Sequence, residues 1–255
     1  MPVLLVEKQS PQITILTLNR PERRNALTIE LMSDLTTAIE NAASDPAQRI
    51  VILRGAGKAF CTGLDLQAAV ENDPQTTAEN VARLLLAFAE TRLITIATVH
   101  GAAVAGGAGL MSACDFVIAA ERTKIGYPEV RRGLVASLVM TFARRQLRER
   151  DLREVMLASE LFDAEHAREI GLVNRVVPSD QLETEVQKIV ASVLQGAPGA
   201  LTNSKRLMEQ LWSTTVRQDI ERTLRHHMDA RESTEAREGI AAFNEKRPPN
   251  WALSG

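Results

Sequence analysis

Two stretches of the chain, Lys58-Ala-Phe-Cys-Thr-Gly-Leu-Asp-Leu66 and Gly101-Ala-Ala-Val-Ala-Gly-Gly-Ala-Gly109, are built from glycine and other small residues that let backbone N–H groups approach a ligand closely. Each follows a β-branched segment, and ligands of open α/β sheets sit at such strand ends. The second stretch leads into a helix, whose first free N–H groups and dipole favour a developing negative charge. From residue types alone, a structural glycine turn and an anion site are both open readings. A dinucleotide or phosphate-loop reading fails on detail, because Gly106, Gly107 and Gly109 are too crowded for G-x-G-x-x-G and no G-K-[ST] follows.

Other reactive side chains point to packing rather than chemistry. His100 follows a strand and reads as a hydrogen-bonded packing residue, and the adjacent His226 and His227 on one helix point different ways, which is poor metal geometry. Cys61 and Cys114 stand far apart with no Cys-x-x-Cys or His-x-x-x-His companion, so they read as buried small hydrophobes, with no metal site and no disulfide framework. Ser112 or Ser137 could suggest a nucleophile, but no elbow motif or matching His and Asp order supports one. Arg20, Arg23 and the run Arg144 to Arg150 read as solvated cations.

The elements that must hold these loops follow from periodicity. Gln12 to Asn19 alternates as a strand with one buried face should, and Asn19-Arg20-Pro21 ends it. From Thr28, apolar Leu31, Met32, Leu35, Ile39 and Ala42 recur at helical spacing up to Asp45-Pro46, and Arg49 to Arg54 then reads as a buried strand. A helix over Thr76 to Thr91, a strand Ile94 to His100, a loop Gly101 to Gly107 and a short helix Ala108 to Cys114 come next. Strands Phe116 to Ala120 and Lys124 to Gly126 follow. Alternation of this kind predicts an α/β fold with a parallel sheet covered by helices, since parallel neighbours need long crossovers. From Ser137 helices dominate, apart from a late strand, Val173 to Val177, set between helices beginning near Asp163 and Ser179. The expected organisation is a core over residues 1–195 and a helical segment over 196–255, without a linker, low-complexity tract or repeat.

Composition excludes whole classes. With 255 residues, 45% hydrophobic and 24% charged, the chain is not disordered, collagenous or a disulfide scaffold. Thirty Lys and Arg against 32 Asp and Glu give a net charge of −2, which is no nucleic-acid footprint, so an anionic ligand must be met by local charges. The apolar stretch Leu93 to Ala113 is too interrupted for a membrane span, and the start of the chain shows no export signal. A cytoplasmic, reducing setting is the expectation.

Seven motifs then occur in register along almost the whole chain: Leu18-Asn-Arg-Pro-x-x-x-Asn-Ala-Leu27, Ala59-Phe-Cys-Thr-Gly-Leu-Asp-Leu66, His100-Gly-x-x-x-x-Gly-Gly107, Cys114-Asp115, Pro128-Glu-Val-x-x-Gly-Leu134, Ala167-x-x-Ile-Gly-Leu-Val-Asn-x-Val-Val-Pro178 and Phe243-Asn-Glu-Lys-Arg-Pro-Pro249. Together they resemble the enoyl-CoA hydratase/isomerase (crotonase) family. The resemblance implies a spiral of β-β-α units with a C-terminal helical trimerisation region, assembled as a homo-trimer or dimer of trimers. It also implies an acyl-CoA thioester substrate, with coenzyme A entering as part of it and no separate cofactor.

Carried over by position, the thioester oxygen is held by the backbone N–H groups of Leu64 and Gly106, a kind of donor worth roughly 3–4 kcal/mol each. Glu129, in Tyr-Pro-Glu, matches one of two family carboxylates; without that match it would read as an ordinary surface residue near a helix start. A carboxyl in an apolar acyl pocket has a raised pKa and can move protons near neutrality. The second carboxylate position is Gly109, assigned to the substrate site with no acid on it. Arg24 and Ala26, with Asp65, Leu66 and Gln67, match positions lining the nucleotide half. Lys246 matches a C-terminal lysine that reaches a phosphate, expected on a neighbouring subunit.

Two departures bear on the reaction. Gly109 leaves one carboxyl where two would hold a water between them, so hydration, isomerisation and decarboxylation all stay open, beside a catalytically silent CoA-binding or oligomerising protein. Gly133-Leu-Val-Ala-Ser-Leu-Val-Met140 replaces a glycine-rich run of many relatives, which implies a different acyl pocket. Both features resemble methylglutaconyl-CoA hydratase-like relatives, hence a branched-chain substrate.

Overall fold

The computed structural model describes residues 1–252, apart from the side chains of Val70 and Glu71. Strands β1 (Leu4–Ser10) and β2 (Ile13–Leu18) lead into α1 (Ile29–Ser44), whose cap is Thr28. β3 (Ile50–Gly55) precedes α2 (Leu66–Glu71) and α3 (Pro74–Glu90). β4 (Ile94–Val99) and β5 (Ala102–Val104) precede α4 (Gly106–Ser112), and β6 (Phe116–Ala120) and β7 (Lys124–Gly126) precede α5 (Ser137–Gln146). The unit of two strands and a helix thus recurs. Then come α6 (Glu149–Arg153), β8 (Phe162–Asp163), α7 (Ala164–Glu169), β9 (Arg175–Val177), α8 (Leu182–Gln195), α9 (Pro198–Gln210), α10 (Val216–Arg231) and α11 (Thr234–Glu245).

The main sheet runs β1-β2-β3-β4-β6-β9, parallel from β2 to β9, with β1 antiparallel on the edge. Its strands have period-two faces. Ile13, Ile15, Ile50, Ile52, Ile94, Ile96 and Ile118 pack beneath Val186, Ile189, Val190 and Val193 of α8. Leu16, Leu18, Val51, Leu53, Ala97 and Val99 face the larger core under α1, α3, α4 and α5. Both faces are therefore covered, as parallel sheets require. This corrects the one-sided reading of β2. Its two threonines are buried with partners: the Thr14 hydroxyl donates to Gln48 Oε1 at 2.7 Å, and Thr17 Oγ1 accepts from Arg54 Nε at 3.0 Å.

A second sheet, β5-β7-β8, corrects the loop expected over Gly101 to Gly107, whose first part is a strand. Isolated pairings Leu27↔Leu64 and Cys61↔Ala103 lay the two glycine-rich stretches side by side. The helices after Gly196 pack onto the core. α10 lies against α3 and α5, and α11 sits on the turn Glu129–Arg132. That seat is tight, because a Cβ on Gly239 would lie 2.2 Å from the Arg132 carbonyl oxygen.

Two cations expected in solvent are instead pinned. The Arg20 side chain is 14% exposed, donating to the Ala26 carbonyl and pairing with Asp65 at 3.1 Å. Arg145 is 9% exposed, bridges Glu209 and Asp219, and stacks on Trp212. Among the described residues, no helix is long and apolar enough to cross a membrane.

Candidate active site

Leu64 and Gly106 reach one point from the two paired stretches. The Leu27 N–H donates to the Gly63 carbonyl at 2.8 Å and the Asp65 N–H to the Leu27 carbonyl at 2.9 Å, so the intervening Leu64 N–H is turned the other way. Gly106 is the first residue of α4, where an N–H has no acceptor within its own helix. It is aimed by Ala105, held at φ 53 and ψ −126, a conformation costly for a residue with a Cβ and typical of functional sites. A Cβ on Gly106 would stand 3.7 Å from the Leu64 nitrogen. Gly63 sits at φ +86, and a Cβ there would lie 3.0 Å from the Gly106 nitrogen, inside the space an anion would fill. Among the described residues, neither N–H has a recorded acceptor. Two free, converging donors form a cradle for a developing oxyanion.

Both donors line a cavity that also holds Glu129. Its wall is largely the apolar segment Leu134 to Val139, with Leu27, Val81 and Phe243. Burial pushes the Glu129 carboxyl up to about 7, against the opposing pull of its own backbone N–H and of Arg132. Its Oε2 is buried without a hydrogen-bond partner. Nothing fixes that oxygen, so it is free to hold or move a proton. The carboxylate is placed by the turn Glu129–Arg132, which α11 clamps from outside.

The structure does not bring Gly109 to this cavity. It is buried in α4 against α5, and a Cβ there would lie 2.1 Å from Val139 Cγ1 and 2.6 Å from Val139 Cβ. The branched side chain of Val139 therefore occupies the space a second carboxylate would need.

A second cavity adjoins the first and shares Thr62, Leu64, Leu66, Arg132 and Phe243 with it. Arg24, Ala26, Asp65, Gln67 and Lys246 line it, together with Arg23 and Lys124, which the sequence reading had left out of the site. The local cations of an anion-binding groove are thus gathered on a chain of near-zero net charge. Asp65 is committed elsewhere: it caps α2 through the Ala68 N–H and pairs with Arg20, so it shapes the loop rather than offering a free carboxylate. Gln67 Oε1 accepts from Arg23 at 3.0 Å. Lys246 caps the C-terminal end of α11 and lines this cavity.

Among the remaining candidates, His100 Nε2 is 2.9 Å from the Gly57 carbonyl oxygen, the packing role its position suggested. Burial pushes the Cys61 thiol up to about 12, the Cys114 thiol is raised likewise, and Ser112 is buried 2.9 Å from the Tyr127 hydroxyl. Sequence reasoning assigns no site role to several further lining side chains, among them Arg132, Phe243, His227 and Arg231. Arg132 stacks on Phe243 at 4.5 Å, while His227 and Arg231 enter the first cavity from α10. One signal was available: His227 and Arg231 are four apart, on one face of a helix.

Comparison with known proteins bears on the same residues. The family described as enoyl-CoA hydratase/isomerase matches residues 8–253. The chain is 30% identical to the 2,3-dehydroadipyl-CoA hydratase of Escherichia coli, over 98% of this chain and 99% of that one. Among solved structures it is similar to a carnitinyl-CoA hydratase from Mycobacterium avium, at TM-score 0.88 and 32% identity over 98% of each chain. An enoyl-CoA hydratase from Mycobacterium avium matches at TM-score 0.85 and 34% identity, over 99% of this chain and 100% of that one. The fold is the one these enzymes share.

Proposed function

The chain belongs to the enoyl-CoA hydratase/isomerase family and is a hydratase-type enzyme of it; from that premise we propose that Glu129, working alone as acid and base, adds water across the double bond of an enoyl thioester. The observation that supports this is the Glu129 carboxyl, raised to about 7 with its Oε2 unpartnered, in the cavity where the Leu64 and Gly106 N–H groups converge. A group titrating near neutrality exists in both protonation states there, as a proton carrier must.

The step balances as follows. Glu129, as carboxylate, takes a proton from water while the water oxygen bonds to C3. The π electrons move through C2 onto the thioester oxygen, where the two N–H groups receive the charge. The enolate then collapses, C2 takes the proton from the Glu129 carboxylic acid, and the carboxylate is restored. Thioester and coenzyme A leave together, one water heavier.

The acyl group we assign is branched, of the methylglutaconyl type, because Leu134 to Val139 form a broad apolar wall beside the carboxyl. A second reading rests on Val139, which fills the space for a second carboxylate. A lone carboxyl can also shuttle a proton between C2 and C4 and move the double bond without adding water.

Mass spectrometry of straight, branched and carboxylated enoyl-CoA thioesters, with Glu129→Gln in parallel, separates these readings. Gain of one water, abolished in the variant, supports hydration. A moved double bond at constant mass supports isomerisation, and loss of carbon dioxide overturns both.

A further inference from the structure

The first cavity is lined by the ionisable side chains Glu129, Arg132, His227 and Arg231. Near the oxyanion cradle, Arg132 is offset by Glu129 and stacked on Phe243. α10 packs against α3, whose Thr77, Ala78 and Val81 line the cavity, and contributes His227 and Arg231 to the lining. Arg231 is half-buried, and its recorded hydrogen bond among the described residues is a long one, 3.4 Å from Nη2 to the Ala69 carbonyl. No ion pair involves it, although 15 other pairings are made across the described residues.

A guanidinium held in an otherwise apolar wall without a carboxylate is costly unless something anionic arrives. Arginine is suited to receive a planar carboxylate through two parallel hydrogen bonds. His227 stands beside it as a further polar group; burial and Arg231 push it down to about 4, so it is neutral at working pH and does not add to the charge. The remaining wall is largely leucine, valine and alanine, with Thr62, Thr77, Ser137 and Phe243 among them, and suits methylene groups.

Resting on the reading of this cavity as the acyl pocket, we infer that Arg231, with His227 beside it, is a specificity site for acyl-CoA thioesters whose chain ends in a second carboxylate. The second carboxylate is the ion-pair partner that Arg231 lacks, and its chain reaches from the oxyanion cradle to α10. A methyl-ended chain of equal length leaves the half-buried Arg231 unpaired.

The test is binding of two saturated thioesters that cannot be turned over, hexanoyl-CoA and adipyl-CoA, by titration calorimetry on the intact protein. Wild type is expected to bind adipyl-CoA at least 10-fold more tightly. In Arg231→Leu that preference disappears while hexanoyl-CoA affinity changes less than about threefold, and Arg231→Lys, which keeps the charge but not the fork, retains part of it. Equal or tighter binding of hexanoyl-CoA by wild type, or a preference that survives Arg231→Leu, overturns the inference. The wild-type comparison needs no variant to fold. Hydration of enoyl thioesters is measured separately, so a protein that prefers adipyl-CoA without adding water would refute the proposed reaction and keep this site.

Discussion

Gly109→Ala tests directly whether the second carboxylate is excluded by packing. In a free helix, alanine would stabilise relative to glycine by about 1 kcal/mol. Here the added Cβ meets Val139 Cγ1 at 2.1 Å and Val139 Cβ at 2.6 Å. Rotating the valine moves Cγ1 but leaves Cβ in place, and a helical valine strongly prefers one rotamer. Overpacking of this kind typically costs about 1–3 kcal/mol. The single variant is therefore expected to be less stable despite its better helix propensity. In a Val139→Gly background the obstacle is gone, and the same substitution should be neutral or stabilise by up to about 1 kcal/mol. Urea unfolding of the four proteins reads the cycle, with unchanged m values confirming that stability alone has moved. If Gly109→Ala stabilises the protein that retains Val139, the valine gives way easily, and the claim that no second acid fits is wrong.

Glu129 gives two pH predictions of opposite sense. Its folded pKa of about 7 lies above the ordinary 4.5, so its contribution to stability is full below pH 4.5 and is lost as pH rises through 7. Glu129→Gln should consequently be more stable than wild type at pH 8, by an amount on the order of 3 kcal/mol, with no such gain at pH 4 in denaturant titrations. Activity needs the carboxylate, so kcat/KM should fall below an apparent pKa near 7, and Glu129→Gln should lower it about 10²–10⁴-fold on the plateau above that pH and remove this dependence. Asp65→Ala unpairs Arg20 and uncaps α2; a loss of about 3 kcal/mol in thermal unfolding is expected, together with a raised KM as the Leu64 loop shifts. Lys246→Ala should weaken coenzyme A binding several-fold in titration, and the deficit should shrink at high salt because the lysine is exposed.

What the sequence made legible was whatever local pattern controls. β3, β4 and β6 are short apolar β-branched or small-residue runs that could be buried on both faces, and α1 and α3 have apolar stripes at helical spacing. The edge strand β1 and the short strands β5 and β8 were not read, because their pairing rather than their composition makes them strands. Leu64, Gly106 and Glu129 could be singled out because each lies in a local motif. His227 and Arg231 could not, since only the docking of α10 onto the core carries them into the cavity, and Phe243, although it opens a local motif, reaches the cavity only through the docking of α11. The meaning of Gly109 likewise depends on Val139, thirty residues later on another helix. Arg20 and Arg145 looked solvated because their acidic partners lie far along the chain.

The central claim is that a single carboxyl supplies both proton transfers, and the stereochemistry of water addition in D₂O tests it most directly. One group on one face of the substrate must deliver hydroxyl to C3 and deuteron to C2 from the same side. NMR of the hydrated thioester, or of the acid released from it, should show syn addition with one deuterium at C2, and no product with Glu129→Gln. Anti addition, or wild-type turnover by the variant, would require a second acid or base and contradict the account.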